Sequence, residues 1–164
     1  MRLKSFKSYD ETELLTAFAE LMNQYFNDVT KHNICGHNLR EFDIPYICRR
    51  MVVNGVELPT LLQLHGKKPW ETKYLIDTMD LWKFGDYKHY SSLKLLTGIL
   101  GIPSPKDDID GSQVGKVFYE DQDLDRIAVY CEKDVVAVIQ IMMKFKRMDI
   151  FKPENIKSLL TETN

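Results

Sequence analysis

The sequence predicts an α/β fold, a mixed sheet covered by helices, and three observations carry that prediction. Short apolar runs bounded by turn residues alternate with longer segments of 3.6-residue periodicity. No repeat or low-complexity tract interrupts the alternation, and the Pro/Gly clusters punctuate short loops instead of marking a linker. The 164 residues, 44% hydrophobic and 28% charged, suffice for one core and read as a single domain over 1–164.

Taken in order, Leu3 to Phe6 alternates weakly and reads as a short strand. Asp10 then offers an N-cap with Glu13 three positions on. Leu14, Leu15, Phe18, Leu21, Met22, Tyr25 and Phe26 follow at helical spacing, which predicts an amphipathic helix opened by a capping box. Asn33 to Gly36 is too short for a helix and suits a buried strand ending at glycine. The next helix carries Pro45 in its first turn, faces Ile47, Cys48, Met51 and Val52 inward, and stops at Asn54-Gly55. Of two apolar stretches, Leu61–Leu64 and Tyr74–Ile76, the second reads as a strand running into Asp77. Ser92 to Gly101 has helical periodicity with a glycine at its end, and the Pro103–Asp108 loop breaks regular structure. The longest element runs from Asp123 to about Met148, with Leu124, Ile127, Ala128, Cys131, Val135, Val138, Ile139 and Met142 on its core face.

Twenty-two basic and twenty-four acidic side chains leave a formal charge of -2, so the whole-molecule field does not draw the chain onto a polyanion. Any such ligand must be held locally. Arg49-Arg50, Lys67-Lys68 and Lys144–Arg147 are the local basic groups, and groups of this kind are ordinarily solvated faces. No apolar window is long enough for a membrane span, and Met1–Ser5 lacks a secretory apolar region, which predicts a cytoplasmic protein. Cys35, Cys48 and Cys131 form no C-x-x-C pair, so neither a disulfide framework nor structural zinc is expected. They read as reduced and buried.

Two constellations carry chemistry. Gly36 to Tyr46 sits where a strand hands over to a helix, and ligands of open α/β sheets bind just beyond the carboxyl ends of strands. Asp43 there is either a ligand-binding carboxylate or an ordinary helix cap. Tyr130 and Asp134, four apart on the last helix, address one small volume. A carboxylate beside Val135 and Val136 needs a partner, a cation or water. Asp77 reads as a turn or helix cap that could also support a site, Asp107, Asp108 and Asp110 read as turn chemistry, and His37 as a neighbour of the site rather than a base.

These residues carry a family resemblance. Gly36, Asn38, Phe42, Asp43, Pro45 and Tyr46 resemble the second exonuclease motif, G-x-N-x-x-x-F-D-x-P-Y, of the proofreading domains of family-B DNA polymerases. Tyr130 and Asp134, about ninety residues on, resemble the Tyr-x-x-x-Asp motif of the DEDDy branch. Asp77–Trp82, Leu93–Leu96, Leu100–Ile102 and Gly111 also look like the stand-alone bacterial relatives of that domain. The resemblance implies an RNase H-like fold and a 3′-5′ exonuclease acting on the 3′ end of single-stranded DNA. Its four carboxylates hold two Mg²⁺ or Mn²⁺ ions, one activating water and the other stabilising the leaving oxygen. By the same resemblance Asp43 and Asp134 are metal-binding and catalytic, and Tyr130 is catalytic, orienting the attacking water. Asn38, Phe42 and Tyr46 bind substrate.

The family's first motif, Asp-x-Glu on an opening strand, has no counterpart before the helix at Asp10. The chain therefore reads as lacking the first two strands, with its sheet completed by self-association or by a partner chain. With part of the metal cage, ion affinity and turnover are expected to be low. The alternative reading is a non-catalytic nucleic-acid-binding or structural partner module. The sequence does not decide between DNA and RNA.

Overall fold

In the computed structural model, which describes residues 1–86, 88, 90–103 and 109–158, the chain runs through β1 (Arg2–Leu3), α1 (Glu11–Tyr25), β2 (Ile34–Gly36), α2 (Asp43–Val53), β3 (Leu75–Asp77), α3 (Thr78–Lys83), α4 (Leu93–Ile99), α5 (Val114–Lys116), α6 (Leu124–Phe145) and β4 (Lys157–Ser158). Thr60–Leu62, Pro69–Thr72 and Pro153–Asn155 are 3₁₀ turns, and α5 continues into a π-helical turn over Val117–Asp121. Residues 104–108 of the expected irregular loop, Asp107 and Asp108 among them, lie outside the described residues. The chain divides into two compact units, Ser8–Gly85 and Met1–Lys7 with Asp86–Asn164.

In the Ser8–Gly85 unit, α1 starts where an acid can satisfy the open amides of a helix N-terminus. The Asp10 side chain accepts from the Glu13 N–H at 3.1 Å. The expected capping box closes differently: Ser8 Oγ donates to the Glu13 carboxylate at 2.6 Å and accepts from the Asp10 N–H at 3.0 Å. Leu15, Ala19 and Met22 form the buried stripe, joined by Leu39, Ile44, Met51, Leu61, Leu62 and Leu75. Tyr25 and Phe26 were expected on that stripe but are exposed, because Phe26 already caps the helix end. On α2, Ile44 and Met51 are buried with Ile47 and Cys48 against the core, a spacing of i, i+3, i+4 and i+7. Val52, one step of about 100° beyond Met51, is exposed instead of inward. Arg50 ties α2 to α1 through a two-point pair with Glu11, one bond running from Nε to Oε1 at 2.7 Å. That guanidinium holds the Glu11 carboxyl below its usual range.

β2 and β3 pair in parallel, with Ile34 opposite Leu75, Cys35 opposite Ile76 and Gly36 opposite Asp77. The connection between them carries α2, since parallel strands need a crossover. Cys35 points away from its neighbours' side of the strand and is exposed, and Cys131 is exposed on α6, so neither is buried as expected. Cys48 is half-buried, and burial pushes its thiol up.

In the second unit, β1 spans two residues where four were expected. It pairs in parallel with β4, Arg2 opposite Lys157 and Leu3 opposite Ser158. α4, capped by Ser92, packs on α6. α6 is capped by Asp123, which accepts from the Arg126 N–H at 3.0 Å. Its buried positions are Ala128, Glu132, Ala137, Val138, Gln140 and Ile141. Ala128 and Val138 are buried as expected, whereas Cys131 and Val135 face outward and Glu132, Ala137, Gln140 and Ile141 take buried places instead. Glu132, 8% exposed, accepts from Ser5 Oγ at 2.6 Å and Ser158 Oγ at 3.0 Å, tying the two ends of the described chain to α6.

The protein is thus a helix-rich α/β chain with small sheets. Among the described residues the expected mixed sheet is represented by two parallel two-stranded ladders, one in each unit. No helix among those residues is long and apolar enough to cross a membrane.

Candidate functional site

The turn from β2 into α2 is shaped by a glycine and by one buried carboxylate. A Cβ on Gly36 would stand 2.8 Å from the Cβ of Leu39, itself 2% exposed, so the chain passes there only without a side chain. Asn38 then adopts φ +61°, a left-handed conformation that asparagine tolerates better than most residues. Asp77, 3% exposed, holds this turn in place. Its Oδ1 accepts from the Asn38 N–H at 2.9 Å and the Met79 N–H at 3.0 Å, and its Oδ2 accepts from the Arg40 N–H at 3.2 Å. The bond from Met79 is the helix cap the sequence suggests, and the other two bonds reach back to the motif.

Arg40 locks the same corner from its side chain. Nη1 donates to Thr72 Oγ1 at 3.2 Å, and Nη2 donates to the carbonyls of Thr72, at 2.9 Å, and Leu75. Thr78 Oγ1 donates to the Gly36 carbonyl at 3.1 Å and lies 2.9 Å from His37 Nδ1. Thr78 thus joins His37 of the motif to the carbonyl that ends β2.

Asp43 opens α2, but it is not the cap: Phe42 holds that position, and no side-chain capping bond is made. The Asp43 carboxyl, one position into the helix, interacts with its own backbone amide. Its surface is exposed, yet the protein packed against it raises its pKa above the usual carboxylate range. The neighbouring Asp77 charge pushes the same way, and its own amide and His37 oppose. The α2 N-terminus adds a favourable field for negative charge. The donor set suits a hard divalent cation: a carboxylate held uncomfortably by desolvation and by a second carboxylate gains from a positive ion. Asp77 has less to offer, since both its oxygens already accept backbone hydrogens. Among the described residues no cluster of three or more His, Cys, Asp and Glu forms a metal cage.

Phe42 and Tyr46 stand beside Asp43 as a stacked pair, ring centroids 6.3 Å apart and planes 9° from parallel, both exposed. Asn38 Oδ1 is a buried acceptor with no hydrogen-bond partner among the described residues. Asn38, Phe42, Asp43 and Tyr46 thus share one corner of the Ser8–Gly85 unit. Tyr130 and Asp134 belong to the other unit, half-buried and one turn apart on α6, with the Tyr130 hydroxyl passing over Gly111, where a Cβ would sit 3.7 Å from it. The buried Glu132 lies between them in sequence and fastens their helix to Ser5 and Ser158.

Asp77, Arg40 and Thr78 are the residues of this corner that sequence reading gave no firm role. The signal for Asp77 was its place at the end of a predicted strand. Its bonds to the motif amides span 39 and 37 positions of chain and leave no local trace. A family model described as a predicted 3′-5′ exonuclease related to the exonuclease domain of PolB matches residues 1–160. No curated protein and no solved structure matches the chain.

Proposed function

The chain belongs to that family of predicted 3′-5′ exonucleases related to the exonuclease domain of PolB, and from this premise we propose that it is a metal-dependent nuclease of the DEDDy, RNase H-like type that trims single-stranded DNA from its 3′ end. The observation that carries the reading is Asp43. It is a carboxylate beyond the carboxyl end of a parallel strand, at a helix N-terminus, and backed by a buried second acid.

Asp43 and Asp134 would hold Mg²⁺ or Mn²⁺, and the ions, when bound, supply Lewis-acid stabilisation of phosphate charge and acidify a coordinated water. Tyr130 orients the attacking water. Phe42 and Tyr46 give the terminal base a face to stack on, which tolerates any sequence. A donor on the terminal nucleotide satisfies the buried Asn38 Oδ1, an atom that otherwise carries a desolvation cost. Asp77 positions Asn38 and Arg40 by their backbone amides and adds negative charge beside Asp43.

The test uses a single-stranded oligonucleotide labelled at its 5′ end, with Mn²⁺, Mg²⁺ or chelator, followed over hours. A ladder shortening from the 3′ end in Mn²⁺, absent in chelator and reduced at least about 10²-fold in Asp43→Ala and in Asp134→Ala, is expected. Equal rates in the wild type and both variants would remove catalysis from this chain.

A further inference from the structure

We propose that a cleft flanking α2 is a second binding point for the single strand, receiving one base and its adjacent phosphates on the 5′ side of the end presented to Asp43. This inference rests on the nuclease reading above. The cleft holds about 430 Å³, within the usual range for small-ligand sites, and lies between α2 and the segment 58–69 of the Ser8–Gly85 unit. Its walls are apolar, with Pro45, Leu62 and Leu64 among them. Its rim is cationic, made by Arg49 from α2 and by Lys67 from the facing segment, with His65 beside Lys67. No Asp or Glu lines it, in a chain whose formal charge is -2.

The rim cations are not spent on structure. Arg40, deeper in the cleft, is committed to Thr72 and Leu75. The Arg49 side chain, by contrast, makes no hydrogen bond or ion pair with the other described residues. Lys67 lies over the Tyr74 ring, 5.7 Å from its centroid, and makes no ion pair there. A slot with apolar walls and an unneutralised cation on each side matches a flat body flanked by two anions. A base within a strand has a phosphate on either side, whereas a mononucleotide has one.

The path to the slot is continuous with the candidate site. Phe42, Tyr46 and Arg49 fall at i, i+4 and i+7, on one face of α2. A strand leaving Asp43 over the stacked rings meets Arg49 six residues along the helix, about 9 Å away along its axis. Past Pro69, on the edge of the cleft, Trp70 is 62% exposed with Lys68 Nζ 5.0 Å from its ring centroid, an aromatic and a cation side by side again.

Fluorescence anisotropy in chelator, where no strand is cut, tests the cleft with labelled oligodeoxythymidylates of about 3 and about 12 nucleotides. The wild type is expected to bind the longer at least about 10-fold more tightly. The Arg49→Glu/Lys67→Glu double variant should lose that advantage, and the slope of log K against log salt should fall by about 1.4, the share of two phosphates on a single strand. Arg49→Gln/Lys67→Gln serves if the double glutamate fails to fold, and Lys116→Glu/Lys152→Glu is the charge-matched control. An equal loss in the control, an unchanged long-strand advantage in the double variant, or displacement of the long strand by thymidine monophosphate as readily as of the short one would overturn the cleft. Failure of the wild type to bind either oligonucleotide would instead sink the nuclease reading with it. Loss of cutting in Asp43→Ala alongside silent cleft variants would sink the cleft alone.

Discussion

Asp77 is a single side chain on which two parts of the chain converge, β3 with α3 on one hand and the Gly36–Asp43 turn on the other. Replacing it by alanine leaves three backbone N–H groups without their acceptor in a site where the carboxylate is 3% exposed. Hydrogen bonds to a charged group contribute about 1.5–3 kcal/mol each to stability, and bonds sharing one carboxylate do not add in full. Asp77→Ala is therefore expected to destabilise by roughly 3 kcal/mol or more in denaturant melts, and Asp77→Asn by less, because an amide oxygen keeps part of the set. Gly36→Ala acts on the same turn by crowding. The new methyl meets a buried Leu39 that cannot move aside, at a cost of about 1–3 kcal/mol. At this scale the motif residues were legible because short spacings record them. The buried carboxylate that shapes their backbone was legible only as a helix cap, since its other partners are remote in sequence.

The helices that announce themselves by period, α1, α2, α4 and α6, lie where the apolar spacing puts them, with Asp10, Ser92 and Asp123 as caps. Elements of six residues or fewer escape such reading. α3 is too short to show a period, and β4 has two residues whose partners are the second and third of the chain. On α6 the expected Ala128 and Val138 are buried, but Cys131 and Val135 are not, and Glu132 takes a buried place among the apolar positions, held there by Ser5 and Ser158. Asp123→Ala should cost α6 about 1 kcal/mol, visible as reduced thermal stability with helicity otherwise retained. The join between α1 and α2 adds a pH dependence. Arg50 lowers the Glu11 pKa in the folded state, so the stabilisation is complete above the unfolded value, near 4.5, and is lost as the pH falls through the folded one. The difference in Tm between the wild type and Glu11→Gln should hold steady from pH 7 down to about 5 and shrink at more acid pH.

Across the whole molecule, Met1–Lys7 folds with Asp86–Asn164 while Ser8–Gly85 makes the other unit, so the chain enters one compact body, leaves it and returns. Glu132 is where that return is fastened. Glu132→Ala strands the hydroxyls of Ser5 and Ser158, and hydrogen exchange is expected to quicken at residues 2–3 and 157–158 while residues 34–36 and 75–77 keep their protection. Equal acceleration in both ladders would show that the two units open together. The same division governs what light can report. Trp70 and Trp82 are the two indoles of the chain, and both belong to Ser8–Gly85. Indole emission therefore originates in the unit that carries Asp43, whereas Tyr130 and Asp134 lie on the 22-residue helix of the unit without a tryptophan. Emission recorded beside dichroism, which sums the helices of both units, thus separates loss of the Asp43 scaffold from loss of helix as a whole, without any label.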